Sequence, residues 1–266
     1  MRTLRLGFRA FDPHELLVHF VAERAGLYRD VEVDVELLDL RAGERPHDAT
    51  CACGSALFQA LDGAPIEIVL IASKAPLFWL YGRGSQIDGA RIATYPPGAP
   101  PARFLELALD RRVMFVPARD DAARLALVSE REVDGVLLSS ATPPGRLPAG
   151  LTEIFCLADR VRVPSTGIAA PRERHPAVEQ LVEAHSRALA LLSRDRAFGW
   201  GVARDVFGFS DAEAAWAHDA VARHFTTDGR VPESYIDAAL RTVGGSRSPY
   251  APAAISAPTT SEEAPP

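Results

Sequence analysis

Lysine is almost missing from this chain: Lys74 stands alone among 29 basic residues, and all the others are arginines. That bias reads as the codon usage of a high-GC genome rather than as selection for arginine chemistry. Cysteine is scarce as well, with three residues, Cys51, Cys53 and Cys156. An odd count excludes a simple disulfide framework, and a bridge between Cys51 and Cys53 would be strained. Reduced thiols fit the cytoplasm. No segment approaches the roughly 20 apolar residues needed to span a bilayer. Basic excess is lacking too: the net charge is −6 and the pI is about 5.7. This argues against nucleic acid or an anionic membrane as the main partner. The first eight residues run straight into a strand pattern, with no charged, apolar and cleavable regions of an export signal. The expected location is therefore cytoplasmic, or periplasmic or extracellular if an export segment has been trimmed.

Catalytic and metal signatures are equally thin. His14 and His19 are five residues apart, which turns their rings about 140° from one another on a helix and not onto one face. No paired CxxC or clustered His/Cys spacing for zinc occurs. Cys51-Ala-Cys53 is a poor chelator and reads as buried inert thiols. Gly54-Ser55 lacks the flanking glycines of a nucleophile elbow, and Gly82-Arg-Gly84 is a lone GxG. No metal and no cofactor is expected.

What is present is an ordinary globular composition: 266 residues, 47% hydrophobic and 24% charged. That length can bury one large α/β core or two modest lobes. Strand and helix patterns alternate, the signature of a mostly parallel sheet flanked by helices. Residues 3–8 read as a strand. Asp12-Pro13-His14-Glu15 then opens a helix, with Asp12 as cap, Pro13 at its first position and Glu15 at capping-box spacing. Strands follow at 31–40, 66–72, 77–81, 91–94, 112–116, 135–138, 152–157 and 166–170. Helices are expected after Ser55, after Pro101, over 120–130 and beyond Pro176. Ser210-Asp-Ala-Glu213 is a second capping box, and a last helix runs from about Pro232 to Leu240. From 246 to 266 the chain is rich in Pro, Ala and Ser and is expected to be a disordered tail.

Several segments together resemble the type II periplasmic-binding-protein-like superfamily, in the branch of alkanesulfonate, nitrate and thiamine-precursor binders. They are Leu4-Arg-Leu-Gly-Phe8, Ala22-Glu-Arg-Ala-Gly-Leu-Tyr28, Val31 to Leu37, Ala64 to Leu70, Asp88 to Ala93 and Val133 to Leu138, in that order. The resemblance implies an α/β, two-lobed fold, each lobe a mostly parallel sheet flanked by helices. Residues 1–85 with 170–245 would form one lobe and 86–169 the other.

It also implies a ligand in the cleft, at strand ends and helix starts, where backbone N–H groups and the helix dipole favour anions. Four segments fall there. Phe11 to His14 offers Phe11 and His14, with Asp12 more simply a cap. Gly54 and Ser55 offer either a ligand-binding hydroxyl or an N-cap. Tyr95, Gly98 and Arg103 offer a stacking ring, close backbone approach and a cation for a carboxylate or sulfonate, although Arg103 can equally be a solvated helix residue. Ser139 and Ser140 offer hydroxyls that either face the cleft or cap a turn. One of Phe78, Trp79 and Tyr81 could line the cleft; Trp200 and Trp216 read as structural.

The function implied is that of a small-molecule-binding protein of the ABC-transporter type. It would close its lobes on an organic acid, sulfonate or heteroaromatic compound and hand it to a membrane permease. Two other classes stay open. One is a cytoplasmic enzyme on the same scaffold, a lyase or decarboxylase for which His14, Ser55 and Arg103 would be the candidates. The other is a ligand-sensing regulatory domain.

Overall fold

Apolar strands that break at a polar cap and restart as helices set the order of the elements. The computed structural model describes residues 2–256 apart from 42, 44, 86, 110 and 111. The chain begins with β1 (Arg2–Phe8), α1 (Pro13–Arg24), α2 (Leu27–Asp30), β2 (Val33–Asp39), β3 (Ala49–Thr50), α3 (Cys53–Leu61) and β4 (Ile66–Ser73). It continues through β5 (Phe78–Gly82), β6 (Arg91–Thr94), α4 (Pro100–Ala108), β7 (Met114–Pro117), α5 (Asp121–Ser129), β8 (Gly135–Ser139) and β9 (Thr152–Cys156). The last part comprises β10 (Thr166–Pro171), α6 (Val178–Arg194), α7 (Arg196–Phe207), α8 (Asp211–Ala222), β11 (Val231–Pro232), α9 (Glu233–Val243) and β12 (Ile255–Ser256).

Two five-stranded sheets share one plan, with orders β2-β1-β3-β10-β4 and β7-β6-β8-β5-β9. In each, the strand in fourth place runs against the other four. Both reversed strands are the first to form after the chain changes sheets, β5 after residues 74–77 and β10 after 157–165. A chain that crosses over directly, with no α-helix between, arrives pointing the opposite way; the parallel neighbours are joined by longer connections. The sheets alternate their side chains between two cores. Phe78 and Leu80 of β5 enter one cluster with Leu57, Ile68 and Phe104, whereas Trp79 and Tyr81 enter the other with Leu6, Leu17 and Leu181.

Three local expectations change. First, β5 pairs with β8 and β9 and so belongs to the second sheet, although the expected first lobe extended to residue 85. Pairing is a long-range choice that a strand's own residues do not encode. Second, residues 246–256 do not form part of a loose tail. Ile68 N–H donates to Pro249 O, Ala251 N–H donates to Ile68 O (both 2.9 Å), and β12 pairs with β11. The segment covers the open edge of β4, which would otherwise present unpaired backbone, and it buries Tyr250 and Ala254. The remainder of that stretch, 257–266, lies outside the described residues. Third, Glu15 does not return to its own cap. Its carboxyl reaches past Asp12 and accepts from the N–H groups of Arg9 and Ala10, at 2.7 and 3.0 Å.

The expected capping box at Ser210 forms in both directions with Glu213. Trp216 of α8 packs on Trp79, with centroids 5.2 Å apart, and Arg146 pairs with Glu213. The helix thus braces the second sheet from the side of the late helices. Among the described residues, no helix is long and apolar enough to cross a membrane.

Candidate functional site

The starts of α1, α3 and α4 converge on a cavity of about 400 Å³ between the two sheets. His14, Gly54, Ser55, Tyr95, Gly98 and Arg103 all line it, so most of the expected site residues meet in one place. Phe11 does not. Its ring, 42% exposed, stands edge-on to Phe8, Phe20 and Phe207. Ser139 and Ser140 also lie behind the cavity wall. Ser139 donates its hydroxyl to Asp121 (3.1 Å), and Ser140 Oγ accepts the His14 N–H (2.9 Å), tying α1 to the loop after β8.

Sequence reading missed several lining residues, among them Glu15, Phe58, Gln59, Asp62, Ser165 and Thr166. Phe58, Gln59 and Asp62 follow Ser55 by three, four and seven residues, which places them on one helix face. That signal was available. Ser165 and Thr166 come from a remote strand, and nothing local announces them.

Aromatic rings form a file across the cavity floor. His14 stands edge-on to Phe78 (5.7 Å), Phe78 edge-on to Tyr95 (5.5 Å), and the Arg124 guanidinium lies 3.7 Å from the Tyr95 ring centre. Arg124 is 1% exposed, donates to Ala118 O (3.0 Å) and pairs with Asp121. Asp121 in turn accepts from the Ser139 and Thr142 hydroxyls. A buried cation so held fixes the plane of Tyr95 from behind. On the opposite wall Arg103 lies over the Phe58 ring, 4.5 Å from its centre, with no ion pair among the described residues.

The helix starts offer fewer donors than expected. In α1, Pro13 has no N–H, His14 N–H goes to Ser140 and Glu15 N–H goes to Asp12 Oδ1. In α3, Cys53 N–H donates to Cys51 O and Gly54 N–H to Ser165 O, which leaves Ser55 N–H and its hydroxyl without a bond among the described residues. In α4, Pro100 and Pro101 occupy the first two positions and supply no N–H at all. Among the described residues, the start of α3 leaves the Ser55 N–H open and the start of α4 leaves the Ala102 N–H open.

Burial dominates the ionisation of this region. It lowers His14 to about 3, and His14 Nε2 shares its proton with Ser165 Oγ at 2.9 Å, whose own hydroxyl donates to Ala75 O. The imidazole is therefore neutral, with its proton on Nε2. Burial raises Asp12 to about 6, against its hydrogen bond from Glu15 N–H, and raises Glu15 to about 8. Away from the cavity, the Tyr28 hydroxyl bridges His19 and His185, at 2.7 and 2.8 Å, and burial holds both imidazoles near 3.

These shifts oppose one another in stability. Below 6.5 the unfolded chain protonates the three histidines and the fold does not, so their contribution is lost as pH falls from 6.5 towards 3. The fold keeps protons on Asp12 and Glu15 that the unfolded chain releases above 3.8 and 4.5. Their contribution is lost as pH rises through about 6 and about 8. The urea midpoint is expected to peak between about pH 6 and 7 and to decline on both sides, by at most about 1.4 kcal/mol per proton and pH unit. Glu15→Gln should flatten the alkaline side; an unchanged decline above pH 7 would remove Glu15 as its cause.

Among the described residues, no group of three or more His, Cys, Asp or Glu could hold a metal ion. All three cysteines are free and buried.

Two sheets of identical plan, joined by two crossings around one cavity, define the two-lobed periplasmic-binding-protein fold of type II. The solved structures that share it include two named for sulfonates. The alkanesulfonate-binding protein SsuA from Xanthomonas axonopodis pv. citri, bound to MOPS, is 16% identical, with a TM-score of 0.67 over 92% of this chain and 92% of that chain. The periplasmic aliphatic sulphonate binding protein SsuA from Escherichia coli is 16% identical, with a TM-score of 0.67 over 92% and 86%. A Candida albicans gene product, described as defining a new family with the generic periplasmic-binding-protein fold, is 13% identical, with a TM-score of 0.69 over 92% and 90%. No protein-family model matches the chain, and no curated protein matches it in sequence.

Proposed function

We propose that the protein is a small-molecule-binding protein of the ABC-transporter substrate-binding type, which closes its two lobes over a small organic acid, sulfonate or heteroaromatic compound. The observation that carries this reading is the cavity itself. It sits between two sheets that the chain links covalently by crossings at 74–77 and 157–165, the arrangement in which hinge closure is possible. Phe58, Phe78, Tyr95 and Phe104 give it apolar walls for a flat or aliphatic body. Ser55 and Arg103 give it one place for an anionic group. Its partner in transport would be a membrane permease, and its place of work the periplasm or the outer face of a membrane. The alkanesulfonate-binding neighbours support the same assignment by fold.

The test is thermal melting against a panel of alkanesulfonates, benzenesulfonate, benzoate and nitrogen heteroaromatic acids. A true ligand at about 100 times its Kd stabilises by about 2.7 kcal/mol, which should raise Tm by about 5 °C or more. Arg103→Glu is expected to weaken the anionic ligands ten-fold or more by calorimetry while leaving the unliganded Tm within about 1 °C. If no member of the panel moves Tm, the binding reading fails. If Arg103→Glu binds as tightly as the parent, the anion lies elsewhere in the cavity.

A further inference from the structure

Two grooves run into the cavity, and an arginine lines each junction. Phe58, Asp62 and Arg103 line both the cavity and a groove that continues over Glu106, Leu107 and the turn after α9. Arg9 and Tyr95 line both the cavity and a second groove, of about 730 Å³, which also takes in Asp39, Arg41, Arg119 and Asp120. The two grooves have no lining residue in common. Arg9 follows β1 and Arg119 follows β7, so the second groove, like the cavity, is built from both sheets.

The second groove carries an excess of positive charge. Its two acids are engaged: Asp39 accepts from the Arg41 guanidinium with both oxygens, and Asp120 Oδ1 accepts the Ala123 N–H as the cap of α5. Arg119 is exposed and makes no ion pair among the described residues. Glu15 lies near Arg9, but burial pushes its carboxyl up to about 8, so at neutral pH it does not neutralise the guanidinium from that side. A guanidinium has five N–H donors, and a contact on one edge leaves others for a ligand. Between the junctions the lining is aromatic. Phe58 and Phe104 lie on the Arg103 side and Phe78 and Tyr95 on the Arg9 side, each pair 5.5 Å apart. The cavity of about 400 Å³ equals about thirteen waters of the liquid, room for a body longer than that of a single small acid.

We infer that the ligand carries an anionic group at each end of an apolar body, one end held by Arg103 and Ser55 and the other by Arg9 and Arg119 where the cavity meets the second groove. This rests on the binding reading above and narrows its ligand to a dianion. Arginine forks match carboxylate and sulfonate geometry, and such charge-assisted bonds are the strong ones. A monoanion uses one junction and leaves the other to water. A dianion uses both, and because Arg9 belongs to the first lobe and Arg103 to the second, it ties the two lobes together in the closed form.

The experiment is calorimetry on the full chain at about 0.15 M salt, where exposed charges more than about 8 Å apart are largely screened. Matched probes share a body and differ by one anionic group: benzenesulfonate against 1,3- and 1,4-benzenedisulfonate and 4-sulfobenzoate, and butanesulfonate against 1,4-butanedisulfonate. At least one dianion should bind about ten-fold or more tighter than its monoanion. Arg9→Gln should bring that ratio to within about two-fold while leaving the monoanion's own Kd within about two-fold, and Arg119→Gln should lower the ratio several-fold. Arg230→Gln, at an exposed arginine that lines neither groove, should leave the ratio as it is, which separates a local site from overall charge. Circular dichroism verifies folding, and if Arg9→Gln does not fold, the exposed Arg119→Gln carries the test. Binding of monoanions with no dianion preferred overturns the inference and leaves the binding reading standing. So does a preference that survives both Arg9→Gln and Arg119→Gln, or one that falls equally in Arg230→Gln. Absence of binding by every probe overturns both.

Discussion

Replacing Gly167 by alanine is expected to destabilise the protein by about 4 kcal/mol or more, enough to leave little folded material. Gly167 sits at an irregularity in the pairing of β10 with β4, at a φ of 153°. A Cβ there would lie 2.0 Å from the Leu70 carbonyl oxygen and 2.8 Å from the Ala72 nitrogen. Both are backbone atoms of β4, the strand paired with β10, so neither can swing aside as a side chain would. Gly98 provides the contrast. It too has positive φ, 81°, but nothing lies within 4 Å of its missing Cβ. Gly98→Ala should cost only the left-handed strain, about 1–2 kcal/mol. Urea denaturation of the two variants checks the difference. Similar losses would show that β10 can shift its register to make room.

The second large effect is expected at Arg124. Arg124→Met should destabilise by about 3–5 kcal/mol, because it removes one partner of a buried ion pair and strands Asp121. Asp121 would still accept from Ser139 and Thr142, but it would lose the cation that balances it. Asp121 already helps to raise Asp12, so Asp12 should rise further in this variant and ionise only in more alkaline solution. The double variant Asp121→Asn, Arg124→Met removes both charges and should recover most of the loss. A double-mutant cycle in urea is the measurement. Additive effects would mean that the guanidinium matters chiefly as a surface for Tyr95, whose ring it backs at 3.7 Å.

Much of the local architecture was legible in the residues alone. Asp12 caps α1 and Ser210 with Glu213 boxes α8 because capping chemistry acts over three residues. Alternating and 3.6-residue patterns mark strands and helices for the same reason: both depend on neighbours in sequence. The segments that converge on the cavity could also be named, since ligands of α/β folds collect where strands end and helices begin. Less legible was how far each residue is free to bind. Ser139 and Ser140 carry suitable hydroxyls, but one serves Asp121 and the other His14.

The sequence by itself determined the order of strands and helices, their caps, and the resemblance that predicted two lobes around a cleft. Each follows from short-range sterics and hydrogen bonding, or from segments read in order along the chain. Tertiary structure alone decided that β5 joins the second sheet and that residues 249–256 close the edge of β4. It also decided that the first N–H groups of α1 and α3 are taken up by Ser140, Asp12 and Ser165. These depend on pairings between residues up to about 180 positions apart along the chain, which no local pattern can encode.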